Sequence, residues 1–228
     1  MFYDLIQRND FTLYVVTDDK FLPSSASKKD ISYIRDIVKR CADGGAKIFQ
    51  YRAKLIEPVF QIKQAMAAKD ECEKNGLIFF VNDRADLAYI IGAYGVHVGQ
   101  EDIPPDFVKE KFSILRIGFS THNIKQVKSV RYEIVDYISF GPIFGTRTKE
   151  SIYPATGIEN LRRALKISRV PVVAIGGINS ANVREVVRTG CKVVACISYV
   201  LENHKEITVR CKRIITEAMN EIRSMGLN

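Results

Sequence analysis

Eight short apolar segments recur along the chain, and each is followed by a stretch with the polar–apolar period of a helix. The segments are residues 12–16, 46–52, 77–81, 94–98, 116–120, 136–140, 170–175 and 192–198. Near-continuous apolar runs rich in Val and Ile are typical of parallel strands covered by helices. Eight strand–helix units close into a barrel, so we predict an α/β chain with a single (β/α)8 architecture, the TIM barrel.

The length of the chain and the positions of its Pro and Gly residues predict one domain. A (β/α)8 barrel needs about 200–250 residues, and the chain has 228. Pro and Gly stand at the boundaries between elements and form no linker-like tract. We therefore expect a single domain over residues 1–228, in which residues 1–10 are a short N-terminal extension.

Two connections are longer than the ~2–6 residues that usually join a strand to a helix, namely residues 18–29 and residues 141–156. Both follow strands, and in this architecture such loops lie at the C-terminal mouth of the barrel, where active sites are built. Both are candidate lids. The alternative is that they are merely variable surface loops.

Composition and charge narrow the class of partner. With 46% hydrophobic and 26% charged residues, the chain has the composition of a globular protein. The net charge of +8 favours anionic partners such as nucleic acids or small phosphates. Because the basic residues are scattered and form no run interleaved with aromatics, we expect no nucleic-acid partner and favour small phosphates.

The cysteines and the apolar segments predict the compartment. The five cysteines are an odd number without a CxxC pair, which favours reduced thiols. The first ten residues lack the apolar segment of a signal peptide, and no run of about 20 apolar residues occurs. We expect a cytoplasmic protein with no membrane partner.

The second predicted strand carries polar side chains at its C-terminal end. Gln50, Arg52 and Lys54 share one face because side chains alternate along a strand. Two cations in a barrel mouth would be costly to bury without an anionic partner, and together they fit a phosphate or diphosphate. Solvated residues at a strand end are the alternative.

Two carboxylates follow the next strands. Asn82 and Asp83 end the third strand and Asp102 follows the fourth, so the carboxylates can meet across the mouth. One or two carboxylates together with substrate phosphate oxygens are the usual protein ligands of Mg²⁺. Alternatively, both aspartates cap the helices that follow, which would require no metal.

The last two strands predict a phosphate site. The seventh strand runs into Gly176 and Gly177, and the eighth into Ile197 and Ser198. Glycines allow the backbone to approach a ligand closely, and the loops after strands seven and eight are the recurrent phosphate position of this architecture.

The loop after the sixth strand offers a second anion-binding site, formed by Thr146, Thr148 and Lys149. Together with the cations of the second strand, a metal and a separate glycine-based cradle, it suggests that two phosphorylated ligands bind side by side. Such an arrangement points to a transfer reaction between them.

Two histidines lie near the predicted mouth. His97 stands inside an apolar strand, which favours a role in the core or behind the ligand-contacting residues over catalysis. His122 follows Ser120 after the fifth strand, where it could transfer a proton or simply occupy the first turn of the next helix.

In these motifs the chain resembles the thiamine-phosphate synthase (thiamine-phosphate pyrophosphorylase) family. The matching elements occur in the family's order and cover most of the chain: QYRAK at 50–54, NDR at 82–84, GVHVGQED at 95–102, GFSTH at 118–122, GPIFGTRTK at 141–149, PVVAIGGI at 171–178 and CIS at 196–198.

The resemblance implies a (β/α)8 barrel that joins hydroxymethylpyrimidine diphosphate to hydroxyethylthiazole phosphate by a dissociative mechanism, with Mg²⁺, giving thiamine phosphate and pyrophosphate. Asp83 and Asp102 would bind the metal. The pyrimidine diphosphate would be held by Gln50, Arg52, Lys54, Asn82, Ser120 and Lys149, and the thiazole phosphate by Thr146, Thr148, Gly177, Ile197 and Ser198. The implied catalytic residues are Arg52, Lys54, Ser120 and Lys149.

Two other functions compete with this one. A thiazole tautomerase-like isomerase would carry a histidine resembling His122, but such relatives typically alter the metal-binding and TxTK positions, which are retained here. A non-enzymatic regulator that binds phosphates would have no reason to keep both the carboxylates and the cations. The sequence leaves the oligomeric state open, a homo-oligomer included.

Overall fold

The computed structural model describes residues 10–145 and 154–226. Within these residues, eight parallel strands form a closed barrel in chain order, which confirms the predicted (β/α)8 fold. The strands are β1 Thr12–Val16, β2 Ile48–Tyr51, β3 Ile78–Asn82, β4 Gly95–Val98, β5 Arg116–Thr121, β6 Tyr137–Phe140, β7 Val172–Ile175 and β8 Val193–Cys196.

Helices follow each strand and surround the barrel. They are α1 Lys28–Asp43, α2 Pro58–Lys74, α3 Ala85–Ile90, α4 Pro105–Lys111, α5 Ile124–Ser129, α6 Gly157–Ile167, α7 Val183–Val187, α8 Ser198–Leu201 and α9 Ile207–Ser224. Short 3₁₀ segments at Asp19–Phe21 and His204–Glu206 precede α1 and α9. Of the predicted N-terminal extension, residues 1–9 lie outside the described residues.

Side-chain alternation divides the core into two layers. On β2, Phe49 and Tyr51 pack outward against the helices, whereas Ile48 and Gln50 are buried on the opposite, inner face, as the period of two predicts. The inner layer consists of Tyr14, Val16, Ile48, Ile78, Phe80, Tyr137, Val173, Val193 and Ala195. The barrel interior is therefore a packed core and not a pore.

The connection from β1 to α1 is held in place. Ser27 caps α1 in a reciprocal capping box with Asp30, so the helix begins at Lys28. Gln64 Nε2, from α2, donates to the carbonyls of Pro23 at 2.7 Å and of Ser25 at 2.6 Å. These contacts fix a segment that the sequence suggested as a lid.

The five cysteines are all buried as free thiols. Among the described residues, no helix is long and apolar enough to cross a membrane.

The chain after β6 packs on the turn after β7. A cis peptide bond joins Gly141 to Pro142, and the amide of Phe144 donates to the carbonyl of Gly176 at 3.0 Å. Gly176 has φ +100°, and a Cβ atom there would lie 2.4 Å from Pro142 Cα. Glycine is thus required at this position by the neighbouring loop as well as by its backbone conformation.

The variants Gly176→Ala and Gly190→Ala separate the effect of backbone conformation from the effect of the contact with Pro142. Gly190 has φ +93°, but a Cβ atom at this position would meet nothing within 4 Å, so its replacement should lower the free energy of unfolding by about 1 kcal/mol through backbone strain alone. Gly176→Ala should cost about 3 kcal/mol or more, because overpacking against Pro142 is added. Denaturant unfolding of both variants measures the difference, and equal losses would show that the contact with Pro142 is unimportant.

Candidate active site

Arg52 follows β2 at the C-terminal rim and is only 8% exposed. Its Nη1 lies 2.5 Å from Asp18 Oδ2, on the chain that follows β1. Thr17 fixes the backbone beneath: its Oγ1 accepts from the Arg52 amide at 2.7 Å and donates to the Arg52 carbonyl at 2.9 Å. The sequence predicted that a buried cation here would need an anionic partner. In the structure, the Asp18 carboxylate is that partner of Arg52.

Lys54 is positioned by the same segment. The Asp19 carboxylate accepts from the amides of Lys54 at 3.0 Å and Leu55 at 2.8 Å. The Lys54 ammonium then lies 2.8 Å from Asp83 Oδ2, across the rim. The cation at the end of β2 and the carboxylate after β3 are therefore in direct contact.

Asp83 and Asp102 come together as predicted. Asp83 adopts the left-handed region with φ 62°, a conformation that is uncommon for a residue other than glycine and often marks a functional position. The Asp102 carboxylate accepts from the Gly99 amide at 2.7 Å, and the two carboxyl groups are hydrogen-bonded to each other.

Neither aspartate caps a helix. The N-cap positions of α3 and α4 are occupied by Arg84 and Pro104. The capping alternative for Asp83 and Asp102 is therefore wrong, and helix capping does not explain why two carboxylates meet at this rim.

The paired carboxyls differ in acidity. Burial and the hydrogen bond with Asp102 raise the pKa of Asp83 to about 6, against the opposing effect of Lys54. Burial also acts to raise the pKa of Asp102, but the hydrogen bonds from Asp83 and from the Gly99 amide outweigh it and lower that pKa. Below about pH 6, a proton bound to Asp83 relieves the repulsion between the two groups.

The uncharged residues predicted to hold the pyrimidine diphosphate lie at and below this rim. Gln50 is buried inside the barrel and donates to the Tyr14 hydroxyl at 2.6 Å. Ser120, on β5, lies with its Oγ 2.9 Å from His97 Nε2. Asn82 is the half-buried last residue of β3, immediately before Asp83.

The residues predicted to hold the thiazole phosphate follow β7 and β8. Gly177 has φ +67°, and its carbonyl accepts from Asn182 Nδ2 at 2.9 Å. Ile197 and Ser198 directly follow β8, and Ser198 is the first residue of α8. The fold thus places these three residues at the same end of the barrel.

The predicted anion-binding site at Thr146, Thr148 and Lys149 lies outside the described residues. The described residues on either side are joined, because the Thr156 amide donates to the Pro142 carbonyl at 2.7 Å.

The two histidines near the mouth have structural partners. His97 is buried, with its Nδ1 2.9 Å from the Tyr137 hydroxyl, as expected for a residue behind the ligand-contacting ones. His122 precedes α5, and its Nδ1 lies 2.7 Å from the Gly141 carbonyl oxygen. It borders a cavity of about 330 Å³.

Sequence reasoning missed the partners of the predicted residues. Asp18 and Asp19 lie just beyond an apolar strand, separated from it by Thr17, and this placement near a strand end was the available signal. Tyr14 and Tyr137 carried no such signal, because they lie inside apolar runs and meet only across the closed barrel.

Comparison with known proteins identifies the family of the chain. The profile of the thiamine monophosphate synthase family matches residues 13–200. The chain belongs to this family. The thiamine-phosphate synthase of Persephonella marina is 40% identical over 213 residues, covering 92% of this chain and 98% of the relative. Thiamine-phosphate synthase 1 of Aquifex aeolicus is 34% identical over 220 residues, covering 95% and 99%.

A solved structure shows the same fold. Thiamine phosphate pyrophosphorylase from Pyrococcus furiosus superimposes with a TM-score of 0.79 at 29% identity, covering 94% of this chain and 98% of that one. These relatives identify the chain as a transferase enzyme of the thiamine monophosphate synthase family. They support the transferase over the isomerase and the regulator.

The pairing of Arg52 predicts a stability effect. Asp18→Ala leaves a buried guanidinium without its main counter-charge, so the free energy of unfolding should fall by about 3–5 kcal/mol. Asp43→Ala is the matched control, because its pair with Lys39 is exposed and should contribute little. Urea unfolding compares the two, and an equally small loss at Asp18 would contradict the importance assigned to its pair with Arg52.

Proposed function

We propose that this member of the thiamine monophosphate synthase family transfers the hydroxymethylpyrimidine group from its diphosphate to the ring nitrogen of hydroxyethylthiazole phosphate. The observation that carries the proposal is the contact of Lys54 with Asp83 and of Asp83 with Asp102 at one rim, beside the buried Arg52. This cluster combines cations for a diphosphate with carboxylates for a metal.

The donor set fits Mg²⁺. Asp83 and Asp102 offer hard oxygen ligands next to each other, and the raised pKa of Asp83, about 6, reflects the cost of holding two negative charges there without a cation. Groups of three or more potential metal ligands are absent from the described residues. Two carboxylates completed by water and substrate phosphate oxygens are sufficient for this ion. When bound there, Mg²⁺ would neutralise charge on the leaving diphosphate.

The side chains of the β2 end would bind the diphosphate. Arg52 can offer further guanidinium N–H groups, since its buried Nε has no hydrogen-bond partner. Lys54 is half exposed and can turn from Asp83 toward a phosphate once the metal compensates that carboxylate. Lys149 would add a third cation, and Gln50, Asn82 and Ser120 would orient the pyrimidine diphosphate through uncharged polar groups.

In the reaction, the bond between the pyrimidine methylene carbon and the diphosphate oxygen breaks, and its electron pair leaves with pyrophosphate. The lone pair of the thiazole nitrogen forms the new bond to that carbon. In the dissociative form of this reaction, bond breaking is ahead of bond formation, so stabilising the leaving charge and excluding water matter most. No nucleophile from the protein is required.

The second substrate would be oriented through its phosphate. Gly177, Ile197 and Ser198 follow β7 and β8, the usual phosphate position of a (β/α)8 barrel, and Thr146 and Thr148 would complete that site. A remote phosphate held there would fix the direction of the thiazole ring, and such positioning can supply a large part of the rate enhancement.

An omit-one assay tests the proposal. Protein, pyrimidine diphosphate, thiazole phosphate and Mg²⁺ are combined, each component is left out in turn, and thiamine phosphate is measured as fluorescent thiochrome. Product should form only in the complete mixture. Asp102→Ala should reduce turnover and weaken the dependence on Mg²⁺, whereas Asp106→Ala, which removes an exposed partner of Arg131, should leave both unchanged. Absence of product in the complete mixture would refute the proposal.

The pKa of Asp83 predicts how metal binding depends on pH. Because this pKa is raised to about 6, a proton occupies the pair below that pH and must leave when Mg²⁺ binds. The dissociation constant should therefore be nearly constant above about pH 7 and rise about tenfold for each pH unit below about 6. Calorimetric titration between about pH 7.5 and about pH 5 measures it, and an affinity that does not change would place the metal elsewhere.

A further inference from the structure

A continuous chain of polar side chains crosses the barrel interior beneath the rim. The Tyr14 hydroxyl accepts from Gln50 Nε2 at 2.6 Å and lies 3.0 Å from the Tyr137 hydroxyl. Tyr137 lies 2.9 Å from His97 Nδ1, and His97 Nε2 lies 2.9 Å from Ser120 Oγ. We call these five residues the interior chain.

The fold makes room for this chain at one glycine. Gly118 pairs with His97 on β4 and with Tyr137 on β6 in the strand ladders, so it lies between them. A Cβ atom at this position would lie 2.4 Å from both His97 Nδ1 and the Tyr137 hydroxyl oxygen. The contact between the phenol and the imidazole therefore depends on the absence of a side chain at residue 118.

Proton counting gives the interior chain a direction. An amide nitrogen only donates, so Gln50 makes the Tyr14 oxygen an acceptor, and the single Tyr14 proton is directed to Tyr137. Tyr137 in turn donates to His97 Nδ1. Burial raises the pKa of both tyrosines, which keeps their protons in place. When the imidazole is neutral, His97 then carries its proton on Nε2, which faces the hydroxyls of Ser120 at 2.9 Å and of Ser139 at 3.4 Å. The shorter contact directs this proton to Ser120.

We propose that Tyr14 and Tyr137 are positioning residues that hold His97 as the Nε2–H tautomer, so that the Ser120 hydroxyl donates its own proton to a ligand in the mouth. The importance of this tautomer for catalysis rests on the proposed function. In that reaction the leaving diphosphate gains negative charge, and a hydroxyl that is fixed as a donor stabilises it better than one free to rotate.

The tautomer can be read in the free protein. Long-range ¹H–¹⁵N correlation spectra of protein labelled at histidine distinguish Nε2–H from Nδ1–H, and His122→Asn and His204→Asn variants assign the His97 signals. At about pH 8, where an unperturbed imidazole is neutral, His97 should show the Nε2–H form. An Nδ1–H form would overturn the proposal, because the interior chain would then run in the opposite direction.

Substitutions test whether the tyrosines set this state. Tyr137→Phe removes the donor to Nδ1, and Tyr14→Phe removes the proton that directs Tyr137, so both should give a mixture of tautomers. The matched control is Tyr51→Phe, because Tyr51 is equally buried but donates to Gln64 at 2.9 Å on the outer face of the barrel. His97 should stay in the Nε2–H form in that variant. An unchanged tautomer in Tyr137→Phe would overturn the proposal.

Kinetics connects the tautomer with the reaction. Tyr137→Phe should lower kcat about 10–100-fold, by analogy with the loss of partners that orient a metal-bound histidine, with little change in KM for either substrate. Tyr51→Phe should retain the parent kcat, and equal values in these two variants would overturn the proposal. If the parent protein makes no thiamine phosphate, the proposed function fails, whereas the spectra still decide the direction of the interior chain.

Discussion

The pairing of buried charges at the barrel rim is the constraint on which the rest of this site depends. Closure of eight parallel strands brings their carboxyl ends to one edge, over a core that excludes water. Charges that lie far apart in sequence must compensate one another there, because an unpaired buried charge is costly. Asp18 compensates the buried Arg52, and the half-exposed Lys54 compensates the more buried Asp83. The site is thus assembled by the same requirement that stabilises the fold.

This pairing also prepares the site for charged ligands. Burial and the closeness of Asp102 raise the pKa of Asp83 to about 6, and Lys54 neutralises a carboxylate that a metal would otherwise compensate. Binding of a metal and a diphosphate would exchange these internal partners for external ones, so little charge has to be newly desolvated. Below the rim the polar groups are uncharged: Gln50, Tyr14 and Tyr137 form hydrogen bonds with one another inside the barrel.

The sequence predicted the features that depend on periodicity and order along the chain. The eight apolar runs correspond to the eight strands, and alternation on β2 placed Gln50 inside and Phe49 outside. The order of motifs predicted the family, and strand ends predicted that Asp83 and Asp102 would meet. The exact start of α1 at Lys28 depends on a capping box in which the side chains and backbones of Ser27 and Asp30 bind each other.

What could not be predicted depends on contacts between distant segments. Tyr14 and Tyr137 are separated by 123 residues and meet only when the barrel closes. The role of Gly176 depends on Pro142, which reaches it from another loop. Likewise, the long segment after β1 resembles a lid in sequence, and only its hydrogen bonds to Gln64 show that it is anchored. Sequence patterns identify which residues are polar at a strand end, but not which of them are already paired.

Crystallography with an anomalous scatterer can show whether the rim is one metal–diphosphate site. Crystals are grown with pyrophosphate and with Mn²⁺ in place of Mg²⁺, because both ions prefer oxygen ligands. The account predicts an anomalous peak bound by Asp83 and Asp102, with pyrophosphate oxygens on the metal and against Arg52 and Lys54. A metal bound away from these carboxylates, or pyrophosphate bound away from Arg52 and Lys54, would contradict it.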